Sequence, residues 1–223
     1  MPKYSIIVPA YNAEDRIDKV LGSIRSQEFI DYELIVICDS CTDRTEEIAR
    51  EKYNAITSIE NFHNDGLSRS KGLDLATGDW VLFLDDDDWW LHEYCLTMID
   101  SGIEVIKNTH DILQFGFIWK GKGYYGSSTK HLNDLKLPIV YSNVWTKCFK
   151  RSFIGDTRFP EVHSVSDSKF MERLAEKEPK VAFLDYPIYY YNYLRVGSIS
   201  EQDKDKSNAA EDINRKKELD WSL

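Results

Sequence analysis

Four consecutive aspartates, Asp85 to Asp88, follow the apolar run Trp80-Val81-Leu82-Phe83-Leu84 and precede Trp89 and Trp90. Like charges in series repel one another. A hard divalent cation with oxygen ligands, Mg2+ or Mn2+, would hold them together. The apolar run has the length and β-rich content of a fully buried strand. Such a strand does not carry unpaired charge into its core. The carboxylates therefore belong at its carboxyl end, where open α/β sheets bind ligands. A solvated acidic turn is the bland alternative. A buried strand on one side and two tryptophans on the other argue against it. Asp39 repeats the pattern at the end of a second apolar run, Glu33 to Cys38.

The elements that must position these groups alternate. Tyr4 to Pro9 reads as a strand that Pro9 stops, because proline cannot donate to a ladder. Asn12 is expected to cap a helix over 13–27, with Ile17, Val20, Leu21 and Ile24 at helical spacing. Asp39 to Asp43 is a turn-and-cap segment before a helix reaching Tyr53. Residues 56–59 form a third strand and 67–76 a helix, with Thr77-Gly78 as its C-cap signal. Strands alternating with helices imply an α/β fold with a mostly parallel sheet. Further on, residues 92–101 and 165–177 read as helices. Residues 111–119, 181–185 and 188–191 read as strands, and 141–149 as a short helix or strand. From about Ser200 the chain is polar and charged, and residues 201–223 are expected to form a charged helix or tail.

A net charge of −10 argues against a broad nucleic-acid surface, which needs clustered Lys and Arg. Cys38-x-x-Cys41 has neither a second ligand pair nor a thioredoxin-like context. A reduced, cytosolic protein is expected, without a signal peptide or a membrane-spanning run.

The order of the motifs resembles family 2 glycosyltransferases with the GT-A fold. Ser5-Ile6-Ile7-Val8-Pro9-Ala10-Tyr11-Asn12 is similar to that family's first strand and turn. Cys38-Asp39-Ser40-Cys41-Thr42-Asp43 resembles its D-D-G-S-T-D turn, with Cys38 and Ser40 replacing an aspartate and the glycine. Ser68-Arg69-Ser70-Lys71-Gly72-Leu73 with Ala76-Thr77-Gly78-Asp79 resembles its A-R-N-x-G-L…A-x-G-[DE] helix, and Asp85-Asp86-Asp87 its D-x-D motif. Val144-Trp145-Thr146-Lys147, Arg158-Phe159-Pro160, Asp167 and Arg195-Val196-Gly197-Ser198 resemble later segments of small bacterial and phage members.

The resemblance implies a GT-A, Rossmann-like sheet flanked by helices. Residues 1–95 would form a nucleotide-sugar half and 96–200 an acceptor half of the same domain. It implies a metal-dependent, inverting transfer from a nucleotide-diphosphate sugar, with UDP-sugar as the donor class. Pro9, Ala10, Tyr11 and Asp39 would form the base pocket, where Tyr11 stacks and Asp39 accepts from an imide N–H. Asp85 would lie near the ribose, Asp86 at the motif's variable position, and Asp87 on Mn2+ or Mg2+. Asp88 would cap the next helix. Arg69 would meet the aspartates or the diphosphate, and Arg195 would close on the diphosphate. Asp167 is the expected general base, with Asp156 and Glu161 as competitors. Trp145 and Lys147 are the acceptor-side candidates. The acceptor would be a carbohydrate or a lipid-linked saccharide. A homodimer through the C-terminal region and a peripheral position at the inner membrane face are further expectations. Two other functions fit an α/β sheet with acidic strand ends. A sugar-phosphate nucleotidyltransferase would need a Gly-rich basic loop after the first strand, and Pro9-Ala10-Tyr11-Asn12 is not one. A non-catalytic binding module is the other, for which Cys38 and Ser40 leave room.

Overall fold

Isoleucine- and valine-rich runs separated by amphipathic helices assemble into one mixed sheet. The computed structural model describes residues 1–120, 123–125, 142–162 and 165–192. In chain order the elements are β1 (Tyr4–Ala10), α1 (Ile17–Arg25), β2 (Tyr32–Asp39), α2 (Thr45–Tyr53), β3 (Ile56–Glu60), α3 (Asp65–Leu75), β4 (Trp80–Phe83), β5 (Trp89–Trp90), α4 (Cys95–Ile106), β6 (Ile112–Trp119), β7 (Gly123–Tyr125), β8 (Lys147–Lys150), α5 (Arg151–Ile154), α6 (Ser166–Ala175) and β9 (Val181–Tyr191). The strand order is β3-β2-β1-β4-β8-β6-β9-β5, with β7 also on β6. β3, β2, β1 and β4 are parallel. β8 enters antiparallel between β4 and β6, and β9 runs parallel to β6. All strands but β8, β7 and β5 therefore point their carboxyl ends the same way, and β8 begins at that end.

Strand alternation divides the interior in two. Ile6, Val8, Leu34, Val36 and Leu82 pack with Ile17, Val20, Leu21 and Ile24 of α1 and with Leu96, Ile99 and Ile103 of α4. On the other face Ile7, Ile35, Ile37, Val81 and Phe83 meet Leu73 of α3 and Phe170, Met171 and Leu174 of α6. The expected apolar stripe of α1 is thus the buried one. Met1–Tyr191 forms one compact unit and Asn192–Leu223 another. Arg195 and the expected tail, 201–223, lie outside the described residues. All four cysteines are free thiols. No helix among the described residues is long and apolar enough to cross a membrane.

Four local expectations are corrected. α1 starts at Ile17, not after Asn12. Asn12 has φ 41° and turns its side chain outward, where Oδ1 accepts from Thr42 N–H at 2.8 Å. Ala13 N–H donates to Thr45 Oγ1, Glu14 N–H to Asp43 Oδ2, and Arg44 N–H to Glu14 Oε2. The loops after β1 and β2 thus satisfy each other's unpaired helix-start donors. Gly78 is not a helix C-cap: α3 ends at Leu75, and a Cβ at Gly78 would lie 2.7 Å from Ser5 N and from Tyr4 C. Glycine is required there because β1 runs directly beneath it. Residues 181–191 are one strand whose register slips opposite Phe115 and Gly116, rather than two. Asp88 caps nothing. It is fully buried and accepts from Tyr189 Oη at 2.6 Å.

Candidate active site

The carboxyl ends of β1, β2 and β4 carry three of the expected groups. Pro9 and Ala10 close β1, and Ala10 is buried. Tyr11 follows with a half-exposed ring, and its backbone N–H donates to Asp86 Oδ2 at 3.0 Å. Arg16 donates to the same oxygen at 2.9 Å and to the carbonyls of Tyr11 and Asn12. Asp86 is therefore more than a spacer. It ties the aspartate turn to the β1 loop and presents Tyr11 beside it. Burial pushes the Asp86 carboxyl up, and Arg16 opposes that shift.

Asp39 is placed differently from the expectation. Its Oδ1 accepts from the backbone N–H groups of Phe62 and His63 and from Ser40 Oγ. Oδ2 accepts from Asn64 N–H and Ser68 Oγ. Three backbone N–H groups are committed to this carboxylate, and the two serine hydroxyls each have a second acceptor, Asn61 Oδ1 or Asn64 O, at the same distance. Asp39 anchors the loop that starts α3, where Asn64 caps by accepting from Leu67 N–H at 3.0 Å. Burial alone would raise the Asp39 carboxyl, and these donors hold it below its usual range. Ser40, at the family's glycine position, adopts φ 57°.

α3 delivers Arg69, which is 5% exposed, into a set of carboxylates. Its guanidinium lies 2.5 Å from Asp65, 2.7 Å from Asp85 Oδ1 and 3.4 Å from Asp167 Oδ1. Burial works against this cation, and the charges of Asp167, Asp85 and Asp65 outweigh it, so it is held protonated. The expected contact with the aspartate run is present, and the same guanidinium also reaches Asp167. Burial pushes the Asp85 carboxyl up to about 7; Arg69 opposes the shift, and the charges of Asp167 and Asp87 add to it.

Asp167 occupies the first turn of α6, after Val165 at φ 59°. Its Oδ2 accepts from Val144 N–H at 3.0 Å. Among the described residues buried Oδ1 has no hydrogen-bond donor, and the Arg69 guanidinium lies 3.4 Å from it. Ser166 ties α6 to α3 by donating to Asp65 Oδ2 at 2.9 Å.

The acceptor-side expectations for Trp145 and Lys147 meet burial. Trp145 stacks on Tyr189 and Tyr191, with centroids 4.5 and 5.1 Å away, and belongs to the core. Lys147 has no exposed surface, and its Nζ donates to Asn143 O and Thr146 Oγ1. Burial lowers the Lys147 amine to about 7, and Asp167 opposes that shift. Neither side chain offers a face to an acceptor.

Tyr189, Arg16, Asp65 and Ser166 were not singled out by sequence reasoning. Tyr189 Oη accepts from Asp85 N–H at 3.2 Å while donating to Asp88, so it pins both ends of the aspartate turn. Its only sequence signal was the tyrosine run in β9. Arg16 stood one residue before an apolar stripe, where a basic residue is usually a surface one.

The aspartate turn also bears on a metal. Among the described residues no three His, Cys, Asp or Glu side chains form a cage. Mg2+ and Mn2+ bound to a diphosphate need only one or two protein carboxylates. Hard oxygen donors at a strand end fit that requirement. Asp87, part-exposed beside Asp85, is the group that would hold the ion.

A sheet of this order, with carboxylates at the ends of its parallel strands and an acidic helix start facing them, defines a GT-A type α/β fold. Solved structures share it. The Staphylococcus aureus protein TarS in complex with UDP-GlcNAc matches with a TM-score of 0.69 and 26% identity, over 85% of this chain and 58% of that one. A mannosyltransferase from Pyrobaculum calidifontis, solved with GDP-Man and Mn2+, has the same fold, with a TM-score of 0.68 and 19% identity over 88% of this chain and 58% of that one. Residues 5–157 match the family model described as glycosyl transferase family 2. The chain belongs to that family. Among curated relatives, the poly(ribitol-phosphate) beta-N-acetylglucosaminyltransferase TarS of Staphylococcus aureus is 30% identical over 88% of this chain. A GalNAc(5)-diNAcBac-PP-undecaprenol beta-1,3-glucosyltransferase of Campylobacter jejuni is 28% identical over 89% of this chain and 69% of its own. The chain spans 36% of the length of TarS.

Proposed function

We propose that this protein transfers a sugar from a nucleotide-diphosphate donor, of the UDP-sugar class, to an acceptor hydroxyl with inversion at the anomeric carbon. The observation that carries this reading is the single Arg69 guanidinium touching both Asp85, at the strand end, and Asp167, at the helix start. It brings a leaving-group site and a candidate base to one place. The base stacks on the half-exposed Tyr11, against the backbone of Pro9 and Ala10. Asp85 lies toward the ribose. Asp87 would hold Mn2+ or Mg2+, which would supply charge neutralisation for a departing diphosphate. The Asp167 carboxylate takes the proton of the acceptor hydroxyl as its oxygen attacks the anomeric carbon. The new C–O bond forms on the face opposite the one that breaks to phosphate, so no covalent enzyme intermediate arises.

The donor class is supported by family membership and by the UDP-GlcNAc bound to the TarS neighbour. A carbohydrate or lipid-linked acceptor follows the names of the relatives. In this reading residues 1–95 serve the donor and 96–200 the acceptor. The reading extends to a cytoplasmic protein, peripheral at the inner membrane face, whose copies pair through the C-terminal region.

Asp167→Asn tests the reading. UDP affinity in Mn2+ should stay within the wild-type range by calorimetry. Transfer, followed as UDP release without pyrophosphate, should fall by about 10²–10⁴-fold. A rate near wild type would move the base to Glu161 or Asp156.

A further inference from the structure

We propose that Lys147 is a positioning residue for Asp167, fixing the turn that grips its carboxylate. The inference rests on the reading of Asp167 as the base. Lys147 is the first residue of β8, at the strand-end side of the sheet, and is fully buried. Its Nζ reaches back to Asn143 O at 2.6 Å and to Thr146 Oγ1 at 3.1 Å. Thr146 Oγ1 lies 2.9 Å from Asn143 Oδ1, and Lys147 N–H donates to Val144 O at 3.1 Å. Residues 143–147 are therefore tied from inside by one amine. The product of that knot is the direction of the Val144 N–H, which holds Asp167 Oδ2 at 3.0 Å while Oδ1 faces Arg69 at 3.4 Å.

The surroundings of Lys147 separate this role from ordinary packing. Gln114 is its cross-strand partner in the ladder and points to the same face, fully buried. Neither polar atom of the Gln114 side chain has a hydrogen-bond partner among the described residues. Phe149, two residues on along β8, shares that face with Phe170 and Leu174 of α6. A buried ammonium whose hydrogen bonds go to neutral oxygens is costly. An apolar residue of the same length would pack there at lower cost. What it would lack is the grip on two acceptors.

The test is Lys147→Met in the full chain, with Mn2+ and whichever member of a UDP-sugar panel gives the fastest wild-type UDP release. kcat should fall roughly 100-fold, the scale of a misplaced catalytic group. Donor KM should stay within about twofold, because only the base side is disturbed. The double variant Lys147→Met with Asp167→Asn should be no slower than Asp167→Asn alone, since the two act as one unit. If circular dichroism shows that Lys147→Met does not fold, Thr146→Val carries the test. It keeps the branched shape, removes one acceptor of the amine, and should lower kcat alone, by about tenfold. Unchanged kcat in a folded variant, or losses that multiply in the double variant, would overturn the positioning role. Near-wild-type turnover of Asp167→Asn, or no wild-type turnover with any donor of the panel, would instead overturn the reading on which it rests.

Discussion

Replacing Tyr189 by phenylalanine removes one oxygen and leaves the ring. The ring is fully buried and stacks on Trp145 at 4.5 Å, so packing is conserved. The lost oxygen makes two bonds: it donates to the buried Asp88 carboxylate at 2.6 Å and accepts from Asp85 N–H at 3.2 Å. A hydrogen bond to a charged group contributes about 1.5–3 kcal/mol. The longer Asp85 bond is at the weak end of its class. A loss of about 2 kcal/mol is therefore expected, which for a domain of this size lowers Tm by about 4–8 °C. Thermal and urea unfolding with a shared m value would measure it. The same change frees the backbone of Asp85, so affinity for UDP in Mn2+ should weaken as well. A Tm within about 1 °C of wild type, with unaltered UDP affinity, would refute the claim that this hydroxyl pins the aspartate turn.

Asp39→Asn should destabilise the protein at pH 7 by about 1.5–3 kcal/mol, because an amide NH2 would face backbone N–H donors. The native carboxyl is held below its ordinary value of 3.8, so its contribution is complete above that value and is lost as pH falls through the lower, folded one. The gap between wild type and variant, read from urea midpoints, should therefore close below about pH 4. Asp87→Ala should abolish the Mn2+-dependent part of UDP binding; calorimetry with and without Mn2+ checks this, and equal affinities would exclude Asp87 as the metal group.

The periodic elements were legible because each satisfies a local rule. The α1 stripe and the apolar run of β4 fell where pattern placed them, whereas Pro9 did not stop β1, which pairs on through Ala10. Asp85 and Arg69 were legible as partners because their positions follow from strand end and helix turn. What failed was what loops decide among themselves. Asn12 has the composition of a cap, yet the donor it satisfies, Thr42 N–H, lies in another loop. Asp39 looked available because a strand end is usually open, and nothing local foretold that Phe62, His63 and Asn64 would turn three N–H groups onto it. Gly78 followed a helix, so its contact with β1 read as a helix stop. Trp145 and Lys147 carried sugar-binding chemistry in their side chains, but burial is a tertiary property that composition does not encode.

The insertion of β8 between β4 and β6 has a consequence for how such a molecule can be taken apart. The strand that carries the aspartates is joined along Trp80 to Leu82 by a ladder to residues 148–150, which come far later in the chain. The first 95 residues on their own would present that ladder bare, an unpaired apolar edge of the kind that recruits other chains. The seam between the first and second parts of the sequence is a continuous sheet rather than a hinge. New acceptor preferences can then arise by exchanging the loops above that sheet, and not by swapping one half of the protein for another.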